Sequence, residues 1–190
     1  MPTDNILEDL ARRDFTINAM AFSPSQGLID PFGGANDLEN RLIRAVGEPD
    51  RRFQEDGLRI LRGLRFASRL DFDLEQDTAR ALVEKRHLLC QVAQERITGE
   101  FIRLVEGAAA SRVLEEFFPV AVQVAPELQP LRGFEQHTPY HIYDVWQHTL
   151  RVLDGVGEER EVRLAALFHD IAKPQCFFRG RRGIGHFKGH

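Results

Sequence analysis

The stretch Glu55-Asp56-Gly57-Leu58-Arg59-Ile60-Leu61-Arg62-Gly63-Leu64-Arg65-Phe66 decides how this chain folds. At about 100° per residue it reads as one amphipathic helix running to about Leu70. Phe53, Ile60, Leu61, Leu64 and Ala67 fall on one face, and Arg59, Arg62, Arg65 and Arg69 form an arc opposite, with Asp56 at its edge. Guanidiniums gathered on one strip repel each other unless an anion lies between them. Their planar forks suit a polyphosphate, and a neighbouring Asp–Arg pair can hydrogen-bond the edge of a base. A solvated helix face has the same composition, so the surroundings of the strip decide its meaning.

Upstream, Phe15-Thr16-Ile17-Asn18-Ala19-Met20-Ala21-Phe22 alternates as a strand does, and Ser23-Pro24-Ser25-Gln26-Gly27 supplies a turn before Leu28-Ile29-Asp30 returns. A short helix around Asp37–Arg41 and a brief strand at Leu42–Val46 follow. This is too little sheet to close a core alone. Downstream the pattern is helical, over Leu74–Leu89, Gln94–Glu106 and Ala108–Phe118, with breaks at Gly107 and Pro119. Pro126–Pro139, with three prolines and Gly133, reads as a linker. Tyr143–Leu153 and Glu159–Ala172 read as two further helices, and Phe177–His190 is rich in Gly and Arg. The expected fold is mainly α.

The 190 residues suffice for one large or two small domains. A net charge of −4 means that any nucleic-acid surface must be local, like the arginine strip. Cys90 and Cys176 are too few for a disulfide framework, which points to a reducing cytoplasm. No apolar run approaches the ~20 residues of a membrane span, so no membrane partner is expected.

Four groups of residues lead up to the strip in order. They are Arg12-Arg13-Asp14 leading into Phe15–Ala21 with Asn18, then Asp30-Pro31-Phe32-Gly33-Gly34, then Ile43–Pro49 and Arg52-Phe53-Gln54-Glu55-Asp56. This series, over about residues 7–118, resembles the class II CCA-adding tRNA nucleotidyltransferases and bacterial poly(A) polymerases. The resemblance implies that Arg12, Arg13 and Asp14, with Asn18, organise a ribose and triphosphate site. It implies that Glu55, Asp56 and Arg59 form an amino-acid template in which Asp56 and Arg59 pair with cytosine or adenine. Arg62 and Arg65 would hold phosphates. A wrong base would leave buried polar groups unpaired, so selection of this kind is physically reasonable. The family also uses a Gly-Ser loop and an Asp-x-Asp pair that holds two Mg²⁺ ions, and neither stands upstream of Glu8. The expectation is therefore a fragment without catalytic residues for transfer, retaining the base-reading half.

A second constellation, His141 and His148 followed by Phe168-His169-Asp170-Ile171-Ala172-Lys173, resembles the HD phosphohydrolase superfamily. That resemblance implies a divalent transition metal on His148, His169 and Asp170, with Lys173 as a phosphate-side neighbour. His186 and His190 in the tail either line this site or do nothing. His141 is a candidate for support behind the ligands, while His87 and His137 read as structural.

The resulting organisation is a remnant of an α/β nucleotidyltransferase head over 1–49, a helical neck with the nucleotide-reading helix over 50–125, and a linker with an HD-like helical module over 126–190. Within the family this chain resembles, a head joined to an HD module is more similar to the tRNA nucleotidyltransferases than to the poly(A) polymerases, which implies CCA addition to tRNA 3′ ends from CTP and ATP. The alternatives are an HD-type phosphohydrolase, a bacterial poly(A) polymerase, or an inactive RNA-binding fragment.

Overall fold

The computed structural model describes residues 5–137, 142–180 and 184–189. Helix α1 (Ile6–Ala11) starts at Asn5, whose side-chain oxygen accepts the Leu7 N–H. The single strand expected over Phe15–Phe22 does not form. Phe15 makes one isolated bridge to Ala45, a 3-10 turn covers Thr16–Asn18, and only β1 (Ala21–Ser23) is paired strand. Asn18 is the reason: its oxygen accepts the Phe15 N–H and its amide donates to Asp14, closing a turn that alternation alone does not reveal. Strand β2 (Gly27–Ile29) returns antiparallel to β1 with Phe22 opposite Leu28.

Asp30 accepts the N–H groups of Gly34 and Ala35, and so starts α2 (Gly34–Glu39). A Cβ on Gly34 would stand 2.2 Å from the Thr16 carbonyl oxygen, so only glycine fits. Asp37 then accepts from the Thr16 hydroxyl at 2.6 Å and from Arg44 at 3.1 Å. The Asp-Pro-Phe-Gly-Gly segment thus works as a brace. Strand β3 is Leu42–Ile43, shorter than expected.

The arginine-bearing segment is two helices, α3 (Pro49–Glu55) and α4 (Leu58–Leu70), where one was expected. Asp56 is extended, at φ −154° and ψ 106°, and its Oδ1 accepts the Leu58 N–H at 3.0 Å. Gly57 lies so close to the Leu88 backbone that an added Cβ would be 2.9 Å from that carbonyl oxygen. Tertiary contact therefore bends the chain at the residue that the sequence marked as the template.

Strand β4 (Asp73–Leu74) pairs parallel with β3. Helix α5 (Gln76–Glu84) gives way to a 3-10 run over Arg86–Gln91 instead of continuing to Leu89. The side chains of Arg86 and His87 reach the Val83 and Glu84 carbonyls that a further turn would use. Next come α6 (Gln94–Val105), α7 (Ala110–Glu116) and α8 (Phe118–Val124). Pro119 opens α8 rather than ending a helix, because its missing N–H costs nothing in a first turn. Pro126–Leu131, within the expected linker, is a 3-10 helix that buries Leu128 and Leu131 completely.

Helix α9 (Val145–Gly155) is capped by Asp144, which accepts the Gln147 N–H. Helix α10 (Arg160–Phe168) stops before the expected Ala172. The His169 ring takes the Ala166 carbonyl, 2.8 Å away, which another turn would have given to the Asp170 amide. A short α11 (Lys173–Cys176) leads into an antiparallel hairpin of β5 (Phe177–Arg179) and β6 (Gly185–Phe187).

One apolar core runs from Phe15 through α4, α6 and α7 to Trp146 and Leu167. Trp146 is fully buried, with its ring 4.9 Å from Phe118 and its indole N–H donated to Glu115. No helix among the described residues is long and apolar enough to cross a membrane.

Candidate nucleotide cleft and metal centre

Asp56 and Gly57, at the bend between α3 and α4, line a cavity of about 220 Å³ with Leu88 and Arg96. A separate cleft of about 600 Å³ is lined by Ala11, Arg12, Gly47, Glu48, Arg51, Arg52, Glu55 and Arg59. Four guanidiniums face two carboxylates there, which leaves the cleft cationic. Arg59 is held on three sides. It donates to Glu55 at 2.8 Å, to the Arg52 carbonyl at 3.1 Å and to the Arg12 carbonyl at 3.0 Å. The Arg59 bond, with Arg52 and Arg51 nearby, holds the Glu55 carboxyl below its usual range against the opposing effect of burial.

Behind this rim sits Asp14, buried and bonded to Arg62 and to Asn18. Burial alone would raise its pKa, but the bonds from Arg62 and Asn18 and the Arg62 charge outweigh burial and lower it. Arg62 is shifted the other way: burial works against its charge, and Asp14 overcomes that. Both stay ionised at neutral pH and form a fixed frame. Arg65 lies 3.2 Å from Glu100 of α6 and 4.3 Å over the Phe66 ring, and burial is the main influence lowering its pKa.

The arginine strip is therefore interleaved with the protein's own carboxylates: Glu55 to Arg59, Asp14 to Arg62, Glu100 to Arg65. The structure brings Arg12, Glu55 and Arg59 to the cleft and places Asp14, Asn18 and Arg62 in the frame behind it. Arg13 pairs with Asp9 on the surface instead. Asp56, one third exposed, has its second oxygen 3.1 Å from Arg96.

Several residues were missed by sequence reasoning. Arg52, quoted only as part of a motif, donates to the Ala11 and Val46 carbonyls and ties α1 to α3. Arg96 and Glu100 of α6 reach back to Asp56 and Arg65. Their four-residue spacing on one helix face was the available signal. Asp71 and Asp73 have Asp-x-Asp spacing, yet they sit at the far end of α4 and pair with Arg112.

The second constellation also converges. His148 Nε2 and His169 Nε2 are 3.3 Å apart, and Asp170 Oδ2 lies 3.1 Å from His169 and 3.6 Å from His148. For bonds of about 2.1 Å, ligand atoms sit about 3.0 Å apart in octahedral and about 3.4 Å in tetrahedral geometry. The triad fits an ion in either. With Nδ1 of His169 turned to the Ala166 carbonyl, its Nε2 presents a lone pair to the triad. Lys173 approaches the same Asp170 oxygen at 2.7 Å and donates to Gln136, another residue the sequence did not flag. His186 is not in the triad; it stacks on Phe178 in the hairpin. His87 and His137 make local contacts with the Glu84 carbonyl and Arg179. His141 and His190 lie outside the described residues.

Comparison with known proteins gives the class. Residues 2–44 match the poly(A) polymerase head domain, and residues 71–119 match the probable RNA- and SrmB-binding site of polymerase A. Two segments of the chain are thus similar to domains of this polymerase family. It is 46% identical over 132 residues to the CCA-adding enzyme of Bacillus velezensis, covering 70% of this chain and 33% of that one. It is 52% identical over 111 residues to that of Bacillus licheniformis, covering 58% and 28%. Among solved structures, the Bacillus stearothermophilus CCA-adding enzyme in complex with CTP superposes with a TM-score of 0.65 at 33% identity. That match covers 91% of this chain and 46% of that one. A tRNA nucleotidyltransferase with a primer tRNA and an incoming ATP analogue gives 0.66 at 28% identity, covering 90% and 52%. The chain thus spans about a third or less of the length of these curated relatives and about half of the solved ones.

Proposed function

We propose that this chain carries the nucleotide-selecting part of a tRNA nucleotidyltransferase that adds CCA to tRNA 3′ ends from CTP and ATP. The observation that carries the reading is the bend at Asp56–Gly57. It fixes the Asp56 carboxylate between the Leu58 N–H and Arg96, next in sequence to Glu55 and three residues from Arg59, which line the arginine cleft. Held this way, Asp56 and Arg59 can offer one acceptor and one donor array to a base edge without reorganising. Arg12, Arg51 and Arg52 supply the positive field for a triphosphate. Two Mg²⁺ ions would supply the in-line transfer chemistry, held by paired carboxylates. No Asp-x-Asp lines the cleft, so residues 1–190 by themselves should bind and select nucleotide without transferring it. Two cysteines without a disulfide accord with a cytoplasmic site of action.

Calorimetric titration of the chain with the four ribonucleoside triphosphates tests this. CTP and ATP should bind more tightly than GTP and UTP, and Asp56→Ala should erase that preference, at about 1–3 kcal/mol for the lost contact. Because Asp56 also starts α4, Arg59→Lys is the second arm. It keeps the charge, so triphosphate affinity should persist while base preference goes. Unaltered preference in both variants would sink the template reading.

The triad favours a second activity on the same chain, a divalent-metal HD site acting on phosphoesters. His148, His169 and Asp170 would hold the ion, which when bound supplies Lewis acidity and an activated water. Lys173, already beside Asp170, would balance charge at that carboxylate and meet a phosphate oxygen.

A further inference from the structure

We infer that the β5–β6 hairpin is a stacking platform for single-stranded RNA. From Ile171 to His190 the sequence holds Lys173, Arg179, Arg181, Arg182 and Lys188 and not one Asp or Glu, in a chain whose overall charge is −4. That concentration of cations attracts a polyanion.

The register sorts the hairpin into two faces. Phe177 is opposite Phe187, and both rings pack around Phe134, with centroids 5.5 and 6.5 Å from it. Phe187 also lies under the Lys173 ammonium, at 5.4 Å, which anchors this inner face beside the metal triad. The outer pair is Phe178 opposite His186, stacked at 5.2 Å with their planes 23° apart. Phe178 is 43% exposed, and the Lys188 ammonium stands 6.0 Å from its ring.

An exposed aromatic pair with a cation over the Phe178 ring and no carboxylate in the segment matches what an unpaired strand requires. Bases stack on the ring, and the cation meets the phosphate. A duplex hides its base faces and would gain only the charge term. An acidic protein surface would gain the charge term but has no base faces to stack on the rings.

The inference is independent of the metal reading, and the test is made in chelator to keep them apart. Fluorescence anisotropy of the whole chain with a short labelled oligouridylate, and with an RNA duplex of equal length, measures binding. Phe178→Ala and Phe178→Leu should each weaken oligouridylate binding about tenfold and leave duplex binding little changed. Phe178→Trp should restore it. Phe22→Ala, which removes another exposed phenylalanine, should have no effect. Lys188→Ala should lower the slope of log affinity against log salt by roughly 0.7. Wild-type affinity in Phe178→Leu, equal losses for duplex and single strand, or tighter binding to anionic lipid vesicles than to RNA would each overturn the platform.

Discussion

Replacing His169 with alanine is expected to strip the chain of its divalent metal. Three ligand atoms 3.1–3.6 Å apart leave the remaining positions to water, so the wild-type chain should hold a transition metal weakly but measurably. Loss of one imidazole leaves two ligands, and affinity should fall roughly 100-fold or more, since even outer-shell changes at metal sites cost about 10–100-fold. His186→Ala should leave metal content unchanged, because its ring belongs to the hairpin. In the wild type, affinity should rise with pH, since only neutral imidazole ligates. Elemental analysis of the purified proteins, together with competition by a chromogenic chelator at two pH values, reads all of this. Equal metal in wild type and His169→Ala would show that the triad is a fold feature without metal chemistry.

The second large effect is on stability. Arg62→Ala leaves the buried Asp14 carboxylate without its charge partner, a loss of about 3–5 kcal/mol for a fully buried pair. Arg62 keeps about a third of its side chain in water, so about 2–3 kcal/mol is expected here. Asp14→Ala should cost a similar amount at neutral pH. Its pH dependence follows from the lowered folded-state pKa. The contribution of Asp14 is fully present above the unfolded value of about 3.9 and is lost as pH falls through the lower folded value. Urea unfolding of wild type and Asp14→Ala at neutral pH and near pH 3 measures it, and the gap should narrow in acid. A constant gap at both pH values would place the cost in packing instead of charge.

The mainly α architecture was legible because it depends on local periodicity. The buried set Ile60, Leu61, Leu64 and Ala67 follows from spacing alone. Of the residues lining the cleft, Arg12, Glu55 and Arg59 were expected only from the family resemblance, and Arg51 and Arg52 were not expected. Ordered short motifs carried that resemblance because each is contiguous in sequence. The convergence of His148 with His169 and Asp170 was anticipated from resemblance, although the residues are a helix apart.

What the tertiary structure decided is how those pieces are joined. Pattern reading ran α3 into α4, because an apolar stripe does not register a carboxylate that caps the next helix or a carbonyl pressed against Gly57. It read Phe15–Phe22 as strand, because alternation is blind to Asn18 closing its own turn. It left the arginines facing an absent anion, whereas Asp14 and Glu100 come from segments 48 and 35 residues away from their partners Arg62 and Arg65. The sequence by itself determined which residues are apolar, charged or able to ligate, and so the helices and the family resemblance. Only the fold could pair the charges, because an ion pair depends on distance in space and the spacing along the chain does not encode it.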